Sequence, residues 1–347
     1  MTHRFPIKEI ARQSGLGTAT IDRVLNGRAH VSAQTRARVA AAVSELEAQE
    51  MQLAAKGRRL FFDVIVEAPR RFSREVRAAA QAVIPQIGTA VCRPRFVLQQ
   101  IMEEDEVVAA LMRVQKRGSH GVCLKARDTP RIREMVARLA AARIPVVTLV
   151  TDIGSPARLA YVGSDNAGAG RTAAYLIAQV ISEGQVLTTL SHEKFLGEEE
   201  RAKGFAQRLA QLRPQVQIVS VQGGSGVDFE TMRALEAVQH RIGDLRAVYS
   251  MGGGNRSILQ VLERIRARPQ IYVAHDLDRD NRHLIEARLI DFVLHHDLRI
   301  DLRRVFDAFL AYHGLLVSDA AVFTSAVQVI TPENIPPDLR GDARGWI

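Results

Sequence analysis

The stretch PIKEIARQSGLGTATIDRVLNGRAHVSAQTRARVAAAVSELE, residues 6–47, decides how the amino-terminal end is read. Ile7, Ile10 and Ala11 recur at helical spacing, Gly15 supplies a tight turn, and Ile21, Val24 and Leu25 form the buried face of a second helix. Ser32 is a good N-cap for a third helix, whose apolar stripe is Val39, Val43 and Leu46. The pattern predicts a helix-turn-helix plus a supporting helix. Such a unit is too small for an enzyme core, and its polar outer face suits a DNA major groove.

Charge points the same way. Residues 1–60 hold ten Lys/Arg against five acids, a surplus of +5 out of the net +9 of the whole chain. The other 287 residues carry 37 Lys/Arg and 33 Asp/Glu, leaving only +4 on a much larger body. Positive charge concentrated at one end fits a phosphate-binding head on a nearly balanced core.

At 347 residues, with 47% hydrophobic content, the chain has room for this head and one large or two medium domains with a sizeable core. No apolar run approaches the roughly 18–20 residues needed to span a membrane. MTHRFPIKEIARQ has no apolar stretch of the secretory kind, so a cytoplasmic protein without a membrane partner is expected. Cys92 and Cys123 form no metal-type pair and read as buried free thiols in a reducing compartment.

From Phe61 onward, short β-rich runs alternate with amphipathic segments. Strands are expected at 61–68, 95–101, 120–124, 145–150 and 158–163, then at 185–190, 216–221, 246–251, 270–275 and 290–295. Helices are expected at 104–116, 132–142, 167–181, 201–212, 229–241, 256–267 and 302–312. The alternation implies parallel sheets of right-handed βαβ units. Ten strands are many for one open sheet, and the series divides near 150–165. The fold class is therefore α/β: a three-helix head followed by two doubly wound lobes, with a ligand cleft at the carboxyl ends of the strands.

Two glycine-rich loops, GGSG at 223–226 and GGGN at 252–255, lack the Lys-Ser/Thr of a phosphate loop and read as turns after strands. His295, His296 and Asp297 are consecutive, so side chains on a strand would point to opposite faces and not share a metal. No metal or other cofactor is expected. His296 is left as a residue of the cleft or of the hinge.

The head resembles the lactose/galactose repressor family of bacterial transcription regulators. The strings that carry the resemblance are I-K-E-I-A, G-L-G-T-A-T-I-D-R-V-L-N-G and H-V-S-A-Q-T-R, without gaps over about 45 residues. The body resembles the periplasmic-binding-protein-like effector domain of that family. There YVGSDNAGAGRTAAYLI (161–177) matches the entry into the second lobe, Arg201 in RAKGF matches an effector-contacting arginine, and Asp276 in VAHDLD matches a hydroxyl-binding aspartate. The resemblance implies a homodimer on near-palindromic double-stranded operator DNA, controlled by a small sugar or polyol in the cleft. It also implies a division into head 1–47, hinge 48–60 and effector domain 61–335, followed by a tail at 336–347. Within the effector domain, lobe 1 takes about 61–162 and 297–325, and lobe 2 about 163–296 and 326–335. The chain departs from the family at EAQEMQLAAKGRR (47–59), where Tyr-x-Pro-Asn and a wedging leucine are usual. The wedge position falls near Gly57, and glycine cannot unstack a base step. A short hinge helix with Met51 or Leu53 at the groove is the expectation here.

On the second helix Thr18, Ala19, Asp22, Arg23 and Asn26 lie away from the buried stripe. Ala19 can pack on a thymine methyl, Asp22 can accept from a cytosine amino group, and Arg23 can bond either guanine or phosphate. Lys8 and Arg28 complete the DNA-binding set with Leu53. In the cleft the candidates are Phe72, Asp152, Arg201, Asn255, Asp276 and His296. Asp and Arg each make two directed, charge-assisted hydrogen bonds to hydroxyls. Phe72 either stacks on a sugar ring or belongs to the core, and Asn255 either binds ligand or caps a helix. The function expected is a ligand-responsive repressor rather than an enzyme. A transporter's sugar-binding protein or a sugar-modifying enzyme using the same cleft is the alternative. Against the enzyme stand the missing nucleophile elbow, metal-ligand cluster and nucleotide fingerprint.

Overall fold

The computed structural model describes residues 4–28, 31–55, 58–192, 195–317 and 322–337. Helix α1 (Ile7–Ser14) stops at Gly15, whose φ of 64° is the left-handed turn that glycine adopts without strain. Helix α2 (Thr18–Leu25) follows, then α3 (Ala33–Ala55). The Ser32 hydroxyl accepts from the Thr35 amide at 3.1 Å and so caps α3. Ile10, Ala11, Ile21, Val39, Ala42 and Leu46 close a small core, with Phe5 added from outside the helices.

Helix α3 corrects the expected hinge. It runs unbroken through Ala55 instead of ending near 47 and restarting as a short hinge helix. The physical reason is composition: EAQEMQLAA has no Gly or Pro and consists of good helix formers. The Leu53 side chain lies outside the described residues, as do positions 56 and 57.

The body contains two six-stranded sheets. The first comprises β1 (Arg59–Glu67), β2 (Val91–Gln99), β3 (Gly121–Lys125), β4 (Val146–Leu149), β5 (Ala160–Ser164) and β11 (Val322–Ser325), in the order β11-β5-β4-β3-β1-β2. The second comprises β6 (Gln185–Thr189), β7 (Gln217–Val221), β8 (Leu245–Ser250), β9 (Ile271–His275), β10 (Phe292–His295) and β12 (Gln328–Ile330), in the order β12-β10-β9-β8-β6-β7. Every ladder is parallel except β10–β12. The exception has a simple cause. Only residues 326 and 327 separate β11 from β12, too few for a crossover. The chain therefore enters the second sheet at the end where β10 leaves it and must run the opposite way.

Strands β11 and β12 were not among the sequence expectations, and neither were helices α4 (Arg70–Val83) and α11 (Arg279–Glu286). Helix α4 is amphipathic: Phe72, Val76, Ala79, Ala80 and Val83 form its buried stripe. It packs with α12 (Leu298–Tyr312) on one face of the first sheet, where Phe62 lies 5.6 Å from Phe306 and 5.0 Å from Phe309 between ring centres. Cys92 and Cys123 are free and buried.

The chain passes between the sheets three times: from β5 into α7 (Asn166–Ala178), from β10 into α12, and from β11 into β12. Helix α7 crosses α8 (Leu196–Leu212) at close range because each contributes a glycine. A Cβ on Gly170 would overlap the Arg201 carbonyl oxygen, and one on Gly204 would overlap that of Ala167. Gly170→Ala should therefore lower stability by about 1–3 kcal/mol, the usual cost of overpacking, measured by urea unfolding. Gly88→Ala, at a position with open space, serves as the control and should leave the midpoint nearly unchanged.

Candidate functional site

Two surfaces carry the expected functional residues. On the head, Ile21 is fully buried beneath α2, while Thr18, Ala19, Arg23 and Asn26 are exposed. Lys8 on α1 and Arg28 beyond α2 are exposed as well. Gly17 precedes α2 without a side-chain cap, so the first amides of that helix have no side-chain cap partner. Asp22 is tied within the head. It accepts from the Asn26 side-chain amide at 2.8 Å, and Arg28 lies 3.5 Å from its other oxygen. These contacts orient Asn26 and Arg28, and they leave Asp22 less available to a base than its position on the helix suggested.

The second surface is the cleft between the sheets, a polar chamber that opens to solvent. Phe72, Arg201 and Asp276 all line it. Arg201 comes from α8 and is held by the Asn166 side-chain oxygen at 2.7 Å and the Met251 carbonyl at 3.3 Å. Asn166 in turn donates to the Val150 carbonyl at 3.2 Å, so one amide side chain joins the end of β4 to the cleft arginine. Val150 itself has φ 67° and Asp276 has φ 64°. Positive φ at a β-branched residue is a genuine outlier, and such strain costs about 1–3 kcal/mol. Both strained residues line the cleft.

Asp152 and Asn255 do not line this chamber. Both oxygens of Asp152 are taken by Arg158 at 2.6 Å, and Thr148 donates to one of them at 2.7 Å. The carboxylate thus braces the loop after β4. Asn255 opens helix α10 (Asn255–Arg264) and turns into its own lobe, donating to Asn281 at 2.6 Å and accepting from Tyr272 at 2.9 Å. His296 is buried at the passage from β10 to α12, with Nδ1 2.5 Å from Asp301 and Nε2 3.7 Å from Asp276. It borders an adjoining chamber rather than this one.

Several cleft groups were missed in the sequence. Lys125, the last residue of β3, donates to the Glu67 carbonyl at 2.9 Å and sits 4.1 Å from the centre of the Phe195 ring. Burial lowers its pKa, against the pull of Glu198 and Glu67. Glu198, in the first turn of α8, accepts from the Ser191 amide at 2.6 Å and from the Ser191 hydroxyl. Burial raises its pKa despite those bonds and despite Arg201 and Lys125. His275, the last residue of β9, pairs through Nε2 with the Tyr249 hydroxyl at 2.7 Å, and burial holds its pKa well below the ordinary value. Lys125 and His275 end strands, the same signal that singled out Asp276, which follows β9.

Arg71 links the two sides. From the first turn of α4 it reaches Asp278 at 2.8 Å and the Gly226 carbonyl at 2.7 Å. The glycine loops expected to be plain turns make this possible. Gly253 has φ 87°, and a Cβ there would collide with the Arg71 guanidinium. A second link joins Arg127 to His192 at 3.4 Å. Burial pushes the Asp278 carboxyl up to about 6, with Arg71 pulling the other way. Polar groups thus line the chamber from both lobes, arranged for multiple directed hydrogen bonds to one small polar molecule. Among the described residues, no group of three or more His, Cys, Asp and Glu is placed to hold a metal ion. No described helix is long and apolar enough to cross a membrane.

Comparison with known proteins agrees with this division. Residues 6–47 match the family described as bacterial regulatory proteins, lacI family, and residues 95–299 match the periplasmic binding protein domain. The HTH-type transcriptional regulator AglR of Rhizobium meliloti (strain 1021) is 29% identical over 218 residues, 59% of this chain and 58% of that protein. The match therefore spans less than two thirds of the relative's length. In fold, the body is similar to GanP, a glucose-galactose binding protein of Geobacillus stearothermophilus, with TM-score 0.70, 18% identity, and 80% of this chain and 99% of that one covered. It is also similar to an ABC transporter solute binding protein of Agrobacterium vitis bound with α-D-tagatopyranose, with TM-score 0.71, 21% identity, and 81% and 97% covered. The chain belongs to the periplasmic binding protein domain family through its body and carries a helix-turn-helix domain of the lacI type at residues 6–47.

Proposed function

We propose that this chain is a sequence-specific DNA-binding repressor, controlled by a sugar or polyol held between its two lobes and acting as a homodimer without catalysis. The observation that carries the reading is the pairing, in one chain, of an exposed α2 face on a basic head with a two-lobed polar cleft. The likeness to a named transcription regulator supports the first half, and the likeness in fold to a protein bound with a sugar supports the second. One recognition helix reads only a few base pairs, so a twofold pair of heads is the economical way to adequate specificity. The head is assigned to residues 1–47, with 48–60 as its link to the effector domain at 61–335. Because α3 continues to Ala55, a change in lobe arrangement reaches the head through a stiff rod over most of that link.

On DNA, the full-length protein should select a twofold-related site from a randomised duplex pool and lose affinity steeply as salt rises. Arg23→Ala should weaken binding to the selected site at least tenfold by fluorescence anisotropy. Salt-insensitive binding with no sequence preference would sink the repressor reading.

For the cleft, a thermal-shift screen of sugars and polyols should yield a ligand whose stabilisation is lost in Arg201→Ala and whose presence alters operator affinity. Turnover of that ligand by the wild-type protein would instead return the cleft to enzymology.

Burial of Asp278, which outweighs the opposing pull of Arg71, gives a signed pH prediction. The folded pKa of Asp278, about 6, lies above its unfolded value of 3.8. Its contribution to stability is therefore complete below about pH 3.8 and lost as pH rises through 6. Asp278→Asn keeps the cap that the carboxylate provides to the Asn281 amide at 2.9 Å and removes the titration. The wild type should gain up to about 3 kcal/mol relative to this variant between pH 7 and pH 4, measured by urea unfolding at each pH.

A further inference from the structure

We propose that the edge of the first sheet nearest the link is a second DNA-contacting surface, a basic collar that binds backbone phosphates beside the site read by α2. The proposal rests on the reading of the head as a DNA-binding unit and adds a sequence-independent contact made by the body.

Strands β1 to β4 are mutually parallel, so their amino-terminal ends share one edge of the body. Only positions 56–58 separate α3 from β1, which puts this edge within about 14 Å of Ala55. Leu46, the last core residue of the head, lies about 14 Å from Ala55 along the same helix. The edge therefore stands within about 28 Å of the head's core, less than one helical turn of duplex, which is about 34 Å.

Its charge is of one sign. The segments that reach this edge, residues 58–62, 84–95, 115–121, 138–146 and 312–317, hold eight Lys/Arg and no acid. Six of the eight lie beyond residue 60, in a body whose net surplus is only +4. Asp63, fully buried on β1, holds Arg95 at 2.7 Å and also Arg117. Arg95 further donates to the Gly118 carbonyl at 2.9 Å and lies 5.3 Å from the centre of the Phe61 ring, so the inner row of the collar is fixed. Around it Arg59, Arg93, Lys116 and Arg143 are exposed, and no described acid pairs with any of them. Compensation of a helix dipole accounts for Lys116 and Arg117, in the last turn of α5 (Glu104–Arg117), but not for Arg59 and Arg93, which sit on strands. Like charges gathered in this way repel one another, and a phosphate backbone relieves the repulsion while releasing its own counterions. The link offers no such attraction: residues 47–55 hold Glu47 and Glu50 and no Lys or Arg. Phosphate binding is thus divided between the head and the edge of the body, with an acidic rod between them.

The test is fluorescence anisotropy of the full-length protein on two labelled duplexes, one carrying the selected site with long flanks and one trimmed to the site. Arg93→Glu combined with Lys116→Glu should weaken binding to the long duplex at least tenfold. It should also reduce the slope of log K against log salt by about 1 for each side chain, and leave the order of preference among mutated sites unchanged. Trimming the flanks should cost the wild type affinity and the double variant much less. Arg59→Glu with Arg143→Glu is a second, independent pair and should behave in the same way. Arg266→Glu with Arg268→Glu changes the net charge equally at exposed positions before β9, in the other lobe, and should stay within twofold of the wild type. Wild-type affinity and salt slope in both collar variants, or an equal loss in the other lobe's pair, would overturn the collar and leave the DNA-reading head standing. If the wild type binds neither duplex in a salt-dependent way, the reading of the head falls with it.

Discussion

The close crossing of α7 and α8 is the constraint on which the cleft depends. Two backbones can approach this nearly only where both lack a Cβ at the contact, which Gly170 and Gly204 provide. Helix α8 also carries Gly197, packed against Asn166 and the Val150 carbonyl, with its amide bonded to Thr151 at 3.0 Å. With the helix seated in this way, Glu198 and Arg201 one turn apart face the chamber, and Asn166 reaches both the arginine and the end of β4. A single side chain on this face that pushed the helices apart would move the charged groups together. That is why packing and ligand geometry cannot be separated here.

The cleft is also where conformational and electrostatic strain collects. Val150 and Asp276 hold left-handed backbones, Lys125 and Glu198 are buried charges whose pKa values burial pushes toward neutrality, and His275 is held neutral against its tyrosine. Each feature costs free energy in the folded chain, and each is tolerated because the sheets and helix pairs around it over-determine its position. A polar ligand that replaces lost hydration for several of these groups at once gains more than it would from relaxed ones. The Arg71–Asp278 contact adds a strut across the opening, made possible by side-chain-free loops at Gly226 and Gly253.

Much of this was legible in the chain. Apolar spacing located all three helices of the head, and the β-rich runs located ten of the described strands, because these elements bury a face of regular period. The misses have specific causes. Strand β12 has three residues and pairs only because β10 is beside it, so no local pattern announces it. Asp152 has the residue type and the strand-end position of a ligand contact, yet Arg158, six residues on, takes its carboxylate. Asn255 meets the same fate through Asn281 and Tyr272. Position relative to a strand is local information, but which partner a polar side chain finds is not.

The sequence by itself determined the helix-turn-helix head, its basic surplus, the α/β body in two series, and the exposed residues of α2. All of these follow from period and composition within short windows. Only the tertiary structure decided which polar groups share a chamber. Lys125 of β3, Glu198 and Arg201 of α8, and Asp276 after β9 come from three segments dozens of residues apart and meet because two sheets face each other across three chain crossings. It also decided that His296 keeps an unpaired nitrogen beside Asp276. Pairing of buried polar groups is set by distance in space, and distance along the chain carries no record of it.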